Sequence, residues 1–410
     1  MSLRAEVLAI GDEFVHGQKV DTNSAWLALE LGLLGFQVER LTVVSDAEEE
    51  LADAVRAACD RADVVIATGG LGPTDDDRTR AAAARVVGEE LEFDADAWRS
   101  IEAMFRVYTR ATGRTPPPSN KRQATFPRGA TVLQNRWGTA PGFSLPVGDA
   151  TFYALPGVPR EMRAMWETVL KPRIESAGGG PMTHHFMQVI GCREAELGEM
   201  LSEFMDEGQE TKVGITASGG QLTVRIASFE ETALQTTVER LRPLLGEWLV
   251  YEGGHSLAEE VGRRLIEGEV TVAVAESCTG GLLAGALTDV AGISEVFLAG
   301  FVTYSNDAKI RDLGVSEDLI ATHGAVSVEV VAAMAAGAAA KTGARATMAI
   351  SGIAGPGGGT EEHPVGTVCF AVCLDGETTA AERRFGDLGR ELLRQRSVRE
   401  ALLHLHRALP

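Results

Sequence analysis

The stretch that most constrains this chain is Ala275-Glu276-Ser277-Cys278-Thr279-Gly280-Gly281. An apolar run, Thr271-Val272-Ala273-Val274, precedes it, and Leu282-Leu283-Ala284-Gly285-Ala286-Leu287 follows. The first run reads as a short buried strand and the second as the opening of a helix. At such a junction the free N–H groups of the first helical turn and the helix dipole favour negative charge, and glycines let a ligand approach the backbone. Ser277 or Thr279 therefore fits two roles: a helix N-cap, or part of a site for a phosphate or a developing oxyanion.

The same alternation recurs along the chain. Residues 5–88 read strand Glu6-Val7-Leu8-Ala9-Ile10, a helix around Leu27, Leu31 and Leu34, a strand over 38–44, a helix with Leu51 and Val55, and strand Val64-Val65-Ile66-Ala67. This order predicts a parallel sheet with helices on both faces and ligands at the carboxyl ends of its strands. A chain of 410 residues is too long for one ordinary core. We expect an α/β multidomain protein with domains at 1–174, 182–252 and 255–410. Gly178-Gly179-Gly180-Pro181 and Gly253-Gly254 mark the boundaries. In the last domain the final strands, over 365–374 and 378–385, predict a closing hairpin and hence a mixed sheet.

Charge narrows the partners. Lys plus Arg number 38 and Asp plus Glu 58, a net charge of −20. That balance opposes non-specific binding to nucleic acid or to an anionic membrane, while leaving room for a local cationic pocket. No apolar run approaches a membrane span and no signal-peptide core is present, so cytoplasm is the expected location. Cys59, Cys192, Cys278, Cys369 and Cys373 are scattered, without C-x-x-C spacing, and are expected to be reduced. His184 and His185 are adjacent on a predicted strand and would point apart, which argues against a metal role.

Two polar loops fall at strand ends in the first domain. One runs Gly11-Asp12-Glu13 and on through Gly17 to Asp21-Thr22-Asn23-Ser24; the other is Thr68-Gly69-Gly70-Leu71-Gly72-Pro73-Thr74-Asp75-Asp76-Asp77-Arg78-Thr79. Consecutive carboxylates suit a hard divalent cation and would repel a bare phosphate, whereas the glycines permit close approach; a bound metal reconciles the two. An acidic, solvated helix N-terminus is the competing explanation. Thr115-Pro116-Pro117-Pro118-Ser119-Asn120-Lys121-Arg122-Gln123 supplies cations to a phosphate or is a solvated basic loop, and Arg136-Trp137-Gly138 is a base-stacking edge or an exposed turn.

These loops, with Asn135, Gly138-Thr139-Ala140-Pro141-Gly142 and Leu155-Pro156-Gly157-Val158-Pro159-Arg160-Glu161-Met162, resemble the competence/damage-inducible CinA family. The first domain of that family has the fold of the molybdopterin-binding MoaB and MogA proteins. The resemblance implies a doubly wound parallel sheet and metal-dependent hydrolysis of ADP-ribose or a similar nucleotide diphosphate. Gly69, Gly70, Gly72 and Thr74 would bind substrate, and Asp75, Asp76, Asp77 and Asp12 a divalent metal (Mg, Mn or Co), with Glu161 behind them. Asp77 and Thr79 keep the family's spacing. The resemblance also implies a small α+β KH-type middle domain. Gly191-Cys192-Arg193-Glu194 lacks the second glycine of the nucleic-acid clamp, so scaffolding is the expected role.

In the last domain three further polar clusters end strands or open helices: Val302-Thr303-Tyr304-Ser305-Asn306-Asp307-Ala308-Lys309, Ile350-Ser351-Gly352-Ile353-Ala354-Gly355-Pro356-Gly357-Gly358-Gly359-Thr360, and Phe385-Gly386-Asp387-Leu388-Gly389-Arg390. With the Ser277 turn and His323-Gly324-Ala325-Val326-Ser327 they resemble the nicotinamide-nucleotide amidase domain that forms the C-terminal part of CinA proteins. The resemblance implies deamidation of nicotinamide mononucleotide to nicotinate mononucleotide and ammonia, with no cofactor. Ser277 is the expected nucleophile and Lys309 its base, since a desolvated lysine has a lowered pKa. Tyr304 would orient the lysine or relay a proton. Thr279, Gly280, Gly281, Asn306, Ser351, Gly352, Gly355 and Arg390 would bind substrate. Cys278 remains the rival nucleophile, and Lys309 as a surface helix residue the rival reading. His363 stands where the family commonly has lysine, and the usual Gly-Asp-Arg before the last helix is altered to Gly386-Asp387-Leu388-Gly389-Arg390. The expected partners are these two nucleotides and a second copy in a homodimer; nucleic acid and membrane are not expected. The alternatives are an amidase whose first domain only binds a nucleotide or pterin, and a regulatory partner in competence or DNA damage.

Overall fold

A computed structural model describes residues 3–112, 117–177, 182–206, 209–218 and 220–410. The start of the expected basic loop, Thr115-Pro116, and the expected linker, 178–181, lie outside the described residues. The chain forms two compact units: Met1–His184 with Ala227–Thr236, and His185–Ile226 with Thr237–Pro410.

The first unit is built on strands β1 (Arg4–Ile10), β2 (Gln37–Val44), β3 (Val64–Thr68), β4 (Leu91–Phe93), β5 (Thr125–Pro127), β6 (Thr131–Leu133), β7 (Gly142–Val147) and β8 (Ala150–Leu155). Its main sheet has the order β2-β1-β3-β8-β7-β6. The β2-β1-β3-β8 pairings are parallel, as the βαβαβ order demands, and β8-β7-β6 turn antiparallel through a hairpin. β4 and β5 form a separate antiparallel pair. Every residue of β3 is buried, because helices cover both faces of the sheet centre and a continuous apolar strand is what such a position requires. One layer of the core collects Leu51, Val55, Val65 and Phe152, and the other Leu27, Leu31, Ile66 and Trp166. The helix Glu48–Cys59 shows the cause: three glutamates in its first turn favour the dipole, and Leu51, Ala52, Val55 and Ala58 fall on one face.

The second unit carries two sheets. Strands β9 (Thr183–Val189), β10 (Lys212–Ser218), β11 (Gln221–Ser228) and β12 (Leu249–Glu252) form a sheet ordered β10-β11-β9-β12. β12 is a strand that the sequence reading did not mark. Strands β13 (Val272–Glu276), β14 (Phe297–Val302), β15 (Ala346–Gly352), β16 (Thr367–Leu374) and β17 (Glu377–Arg384) form a sheet ordered β14-β13-β15-β16-β17. β14, β13 and β15 are parallel, and β15-β16-β17 antiparallel, the mixed sheet expected from the closing hairpin. The alanine-rich helix Val328–Thr342 packs on one face through Val331, Met334, Ala335 and Ala338. The final helix, Arg390–Ala408, packs on the other through Leu393, Leu402 and Leu405. No helix among the described residues is long and apolar enough to cross a membrane.

Candidate functional sites

β13 is central and wholly buried, so the turn at its carboxyl end is held from both sides. The Ser277 N–H donates to the Ile350 carbonyl at 3.0 Å, and the Thr303 N–H to the Glu276 carbonyl at 2.8 Å. Ser277 thereby sits between the ends of β14 and β15. The helix Asn306–Leu313 starts just after β14, its N-cap Ser305 accepting from the Ala308 N–H. One turn in, Lys309 points inward and is only 1% exposed. Its Nζ donates to Ser277 Oγ at 3.1 Å and to the Thr303 carbonyl at 2.9 Å. Burial pushes the Lys309 ammonium below the ordinary lysine range, with Cys278 acting the other way. Among the described residues no carboxylate lies within ion-pair distance of Lys309. A hydroxyl beside a desolvated amine is the arrangement that activates a serine.

The same surroundings disfavour the neighbouring thiol. Cys278 belongs to the apolar core, and burial pushes its thiol up to about 11. The thiolate is the nucleophilic form.

The structure redistributes several expected contacts. The helix N-terminus after the turn is already filled: the fully buried Glu276 carboxylate accepts from the N–H groups of Gly281 (3.0 Å), Leu283 (3.0 Å) and Ala284 (2.8 Å). The Gly280 N–H donates to the Ser277 carbonyl. The backbone of Gly280 and Gly281 is thus engaged internally, and not open as a phosphate cradle. Ser351 Oγ donates to the Ala325 carbonyl at 2.6 Å, so its hydroxyl ties two loops together. Gly352 ends β15 against Val368. The Tyr304 hydroxyl accepts from Arg390 Nη2 at 2.8 Å instead of orienting Lys309, a role the Thr303 carbonyl takes. Arg390 also donates to the Gly355 carbonyl at 3.0 Å. Tyr304 and Asn306 are exposed at the rim, and the side chain of Thr279 is buried.

Two residues of this site escaped sequence reasoning. Glu276 stands in the opening stretch with no role assigned to it, although an acid shortly before a helix opening is a readable signal for a buried cap. Arg394 donates to the carbonyls of Cys278 (3.1 Å) and Thr279 (2.7 Å), clamping the turn from the final helix. Nothing local to the turn announces a partner 116 residues away.

In the first unit the two polar loops converge on a cavity of about 560 Å³ lined by Glu13, Lys19, Asp46, Gly69, Gly72 and Asp76, among others. Asn23 ties the floor together, donating to Thr68 Oγ1 (3.1 Å) and to the Gly157 carbonyl (2.9 Å). The expected carboxylates then separate by role. Asp77 braces the loop: it accepts from the N–H groups of Gly72 (2.6 Å) and Thr74 (2.8 Å) and from the Thr74 hydroxyl, so Thr74 is engaged too. Asp75 pairs with Arg122 and is exposed. Asp76 stays on the cavity wall. The Asp12 N–H donates to the Asp46 carboxylate at 2.8 Å, and the Asp46 N–H to the Asp12 carboxylate at 3.2 Å. Burial, followed by the charges of Asp12, Asp76 and Glu13, raises the Asp46 carboxyl above its usual range. Asp46 was missed, yet it follows the end of β2, where the strand-end rule places ligands. Glu161 accepts from Asn135 Nδ2 at 2.7 Å, and any side chain at Gly138 would strike its carboxylate.

No group of three or more His, Cys, Asp or Glu side chains among the described residues is placed to hold a metal unaided. The donors fit a Mg²⁺-type ion that takes one or two carboxylates and completes its shell with substrate phosphate oxygens and water.

Two family models match separate stretches of the chain. Residues 6–176 match the family model described as "Probable molybdopterin binding domain", and residues 254–409 match "CinA C-terminal domain". A CinA-like protein of Desulfosudis oleivorans is 40% identical, covering 96% of this chain and 99% of its own. The chain belongs to the CinA family. A CinA-like protein of Chlorobium luteolum is 41% identical over 90% of this chain and 88% of its own. Among solved structures, the competence/damage inducible protein CihA of Agrobacterium tumefaciens is 47% identical over 38% of this chain and 96% of its own, with a TM-score of 0.36.

Proposed function

We propose that this CinA-family chain hydrolyses the carboxamide of nicotinamide mononucleotide at the Ser277 turn. The observation that carries the reading is Lys309 Nζ at 3.1 Å from Ser277 Oγ, with the lysine buried and its pKa lowered. Ser277 Oγ attacks the carboxamide carbon as Lys309 takes the hydroxyl proton. The tetrahedral adduct collapses with that proton passing to the departing nitrogen, releasing ammonia and leaving an ester on Ser277. Water then attacks the ester, giving up a proton to Lys309; the serine leaves and recovers one, and the product is a carboxylate. Arg390, fixed at the rim by Gly355 and Tyr304, has further N–H donors for the phosphate. The substrate assignment follows the family resemblance of the motifs. Ammonia release from nicotinamide mononucleotide tests it, with formation of nicotinate mononucleotide as the expected result; absence of both removes the reading.

For the first unit we infer hydrolysis of ADP-ribose or a related nucleotide diphosphate over the glycine loop. What supports it is the acid-lined cavity, with Lys19 also on its wall and paired with Glu13 at 3.4 Å. A divalent ion held by Asp46 and Asp12 or Asp76 would supply charge neutralisation of the diphosphate. The chain's own contribution is positional: Asp77 fixes the loop, and Asn23 fixes the strand ends beneath it. AMP release from ADP-ribose that depends on Mg²⁺, Mn²⁺ or Co²⁺ is the expected result. Tight binding without turnover would assign the unit to nucleotide or pterin binding instead.

A further inference from the structure

The loop over 134–140, between β6 and β7, serves two cavities of the first unit. Thr139 and Ala140 line the glycine-loop cavity, together with Glu161. Gln134, Asn135, Arg136 and Trp137 line a second cavity of about 720 Å³. Its other wall is the helix Ala95–Thr112, which contributes Ser100, Ala103 and Met104 from one face. The partition between the cavities is thin. The buried Asn135 donates to Glu161 at 2.7 Å, and the loop backbone runs so close to that carboxylate that a Cβ at Gly138 would overlap it.

The loop also holds an indole in place. Asn135 Oδ1 accepts from the N–H groups of Trp137 (2.9 Å) and Gly138 (3.0 Å), which fixes the turn. Part of Trp137 packs on the core layer of Leu27, Leu31 and Trp166, and the residue also borders the cavity. Among the described residues no other aromatic ring stacks on it. Gln134 and Arg136 flank it in the chain and are exposed, and among the described residues neither side chain has a hydrogen bond or an ion pair. An indole face stacks on any base. An amide pairs bidentately with the exocyclic amine and the adjoining ring nitrogen of adenine, and a guanidinium with the carbonyl oxygen and the same ring nitrogen of guanine. Both pairings use an edge that only purines carry, and the cavity volume is in the range of small-ligand sites.

We propose that this second cavity receives the purine base of a nucleotide whose diphosphate lies over the glycine loop. The base stacks on Trp137 and presents its edge to Gln134 and Arg136, and the chain of the ligand crosses the partition at Gly138. The proposal rests on the reading of the first unit as a nucleotide-diphosphate site and adds to it the residues that choose the base.

The test is calorimetric titration of the full chain in Mg²⁺ with ADP, UDP and inorganic pyrophosphate, for the wild type, W137A, W137F and Q134A/R136A. The wild type should bind ADP more tightly than pyrophosphate, and more tightly than UDP by about fivefold or more. W137A should weaken ADP by about five- to 150-fold, the range for losing one stacked base, and leave pyrophosphate unchanged. W137F keeps an aromatic face and should retain most of the ADP affinity. Q134A/R136A should bring ADP and UDP to similar affinities. Circular dichroism establishes folding, and the exposed pair Q134A/R136A carries the test if W137A does not fold. ADP binding unchanged in folded W137A, equal wild-type affinities for ADP and pyrophosphate, or an ADP preference that survives in Q134A/R136A overturns the proposal. Pyrophosphate binding in those cases leaves the glycine-loop reading standing. Failure of the wild type to bind either ADP or pyrophosphate withdraws that reading and the proposal with it.

Discussion

Replacing Lys309 with methionine separates its chemistry from its packing. The side chain is 1% exposed and donates to Ser277 Oγ and the Thr303 carbonyl, and a methionine of similar length fills the same space. Loss of a general base costs ~10²–10⁴ in rate, which is about 2.7–5.4 kcal/mol of barrier. The structural cost is smaller. The buried Thr303 carbonyl loses its partner, worth about 1–3 kcal/mol. Against that, the methionine removes an ammonium whose burial is unfavourable, and this offsets part of the loss. Lys309→Met should therefore fold normally, shift the thermal midpoint little, and lose ammonia release from nicotinamide mononucleotide by two to four orders of magnitude. In the wild type the neutral amine is the active form, so kcat should climb with pH and level off at a pKa below the ordinary lysine value of 10.5. The stability sign is the same. The folded pKa lies below the unfolded one, so the unfolded chain binds more protons between the two values, and stability rises with pH across that window. A folded Lys309→Met within tenfold of wild-type activity, or a wild-type profile flat between pH 6 and pH 10, would refute the assignment of Lys309 as base.

Ser277→Ala should abolish amidase activity, by on the order of 10⁴-fold or more, whereas Cys278→Ala should stay within a few fold; the same ammonia assay reads both, and the reverse order would move the nucleophile to sulfur. With its thiol pushed up to about 11, Cys278 should resist iodoacetamide at pH 8 in the folded protein, and mass spectrometry of the alkylated peptides decides it. Glu276→Gln should destabilise the second unit by about 1.5–3 kcal/mol, since three backbone donors lose a carboxylate; urea unfolding measures this. In the first unit Asp46→Asn should raise the metal concentration needed for AMP release from ADP-ribose. Asp77→Asn, by loosening the loop, should lower that activity at every metal concentration.

The alternation of strands and helices and the parallel pairing were legible because an interior parallel strand must be apolar along its whole length: 64–67 and 272–275 are such runs, and they became the buried β3 and β13. Sheet position also told which loops would gather, since strand ends on one edge of a doubly wound sheet meet. What the sequence does not carry is the division of labour inside a cluster. Asp75, Asp76 and Asp77 are indistinguishable as letters, yet one pairs with Arg122 and two line the cavity, of which only Asp77 holds Gly72 and Thr74, because successive residues of a tight loop point in different directions. Long-range partners are equally silent: Arg394 reaches Cys278 only because the last helix packs over the turn after β13.

Glu276 shows how that missing information changes the chemistry. A helix N-terminus next to a nucleophile invites assignment as an anion site, and its glycines strengthen the invitation. Here a carboxylate of the chain itself occupies the N–H groups of Gly281, Leu283 and Ala284 and is fully buried. An external phosphate at that position would have to displace a buried anion, and would meet its repulsion first. The same charge raises the Cys278 thiol and so helps to keep sulfur protonated beside the serine. The dipole of this helix therefore fixes the turn and biases the choice of nucleophile, and phosphate recognition falls to guanidinium groups. In the proposed amidase Arg390 at the rim would take the substrate phosphate, which predicts that Arg390→Ala raises KM for nicotinamide mononucleotide far more than it lowers kcat. A fall in kcat with KM unchanged would instead place Arg390 in the chemical step.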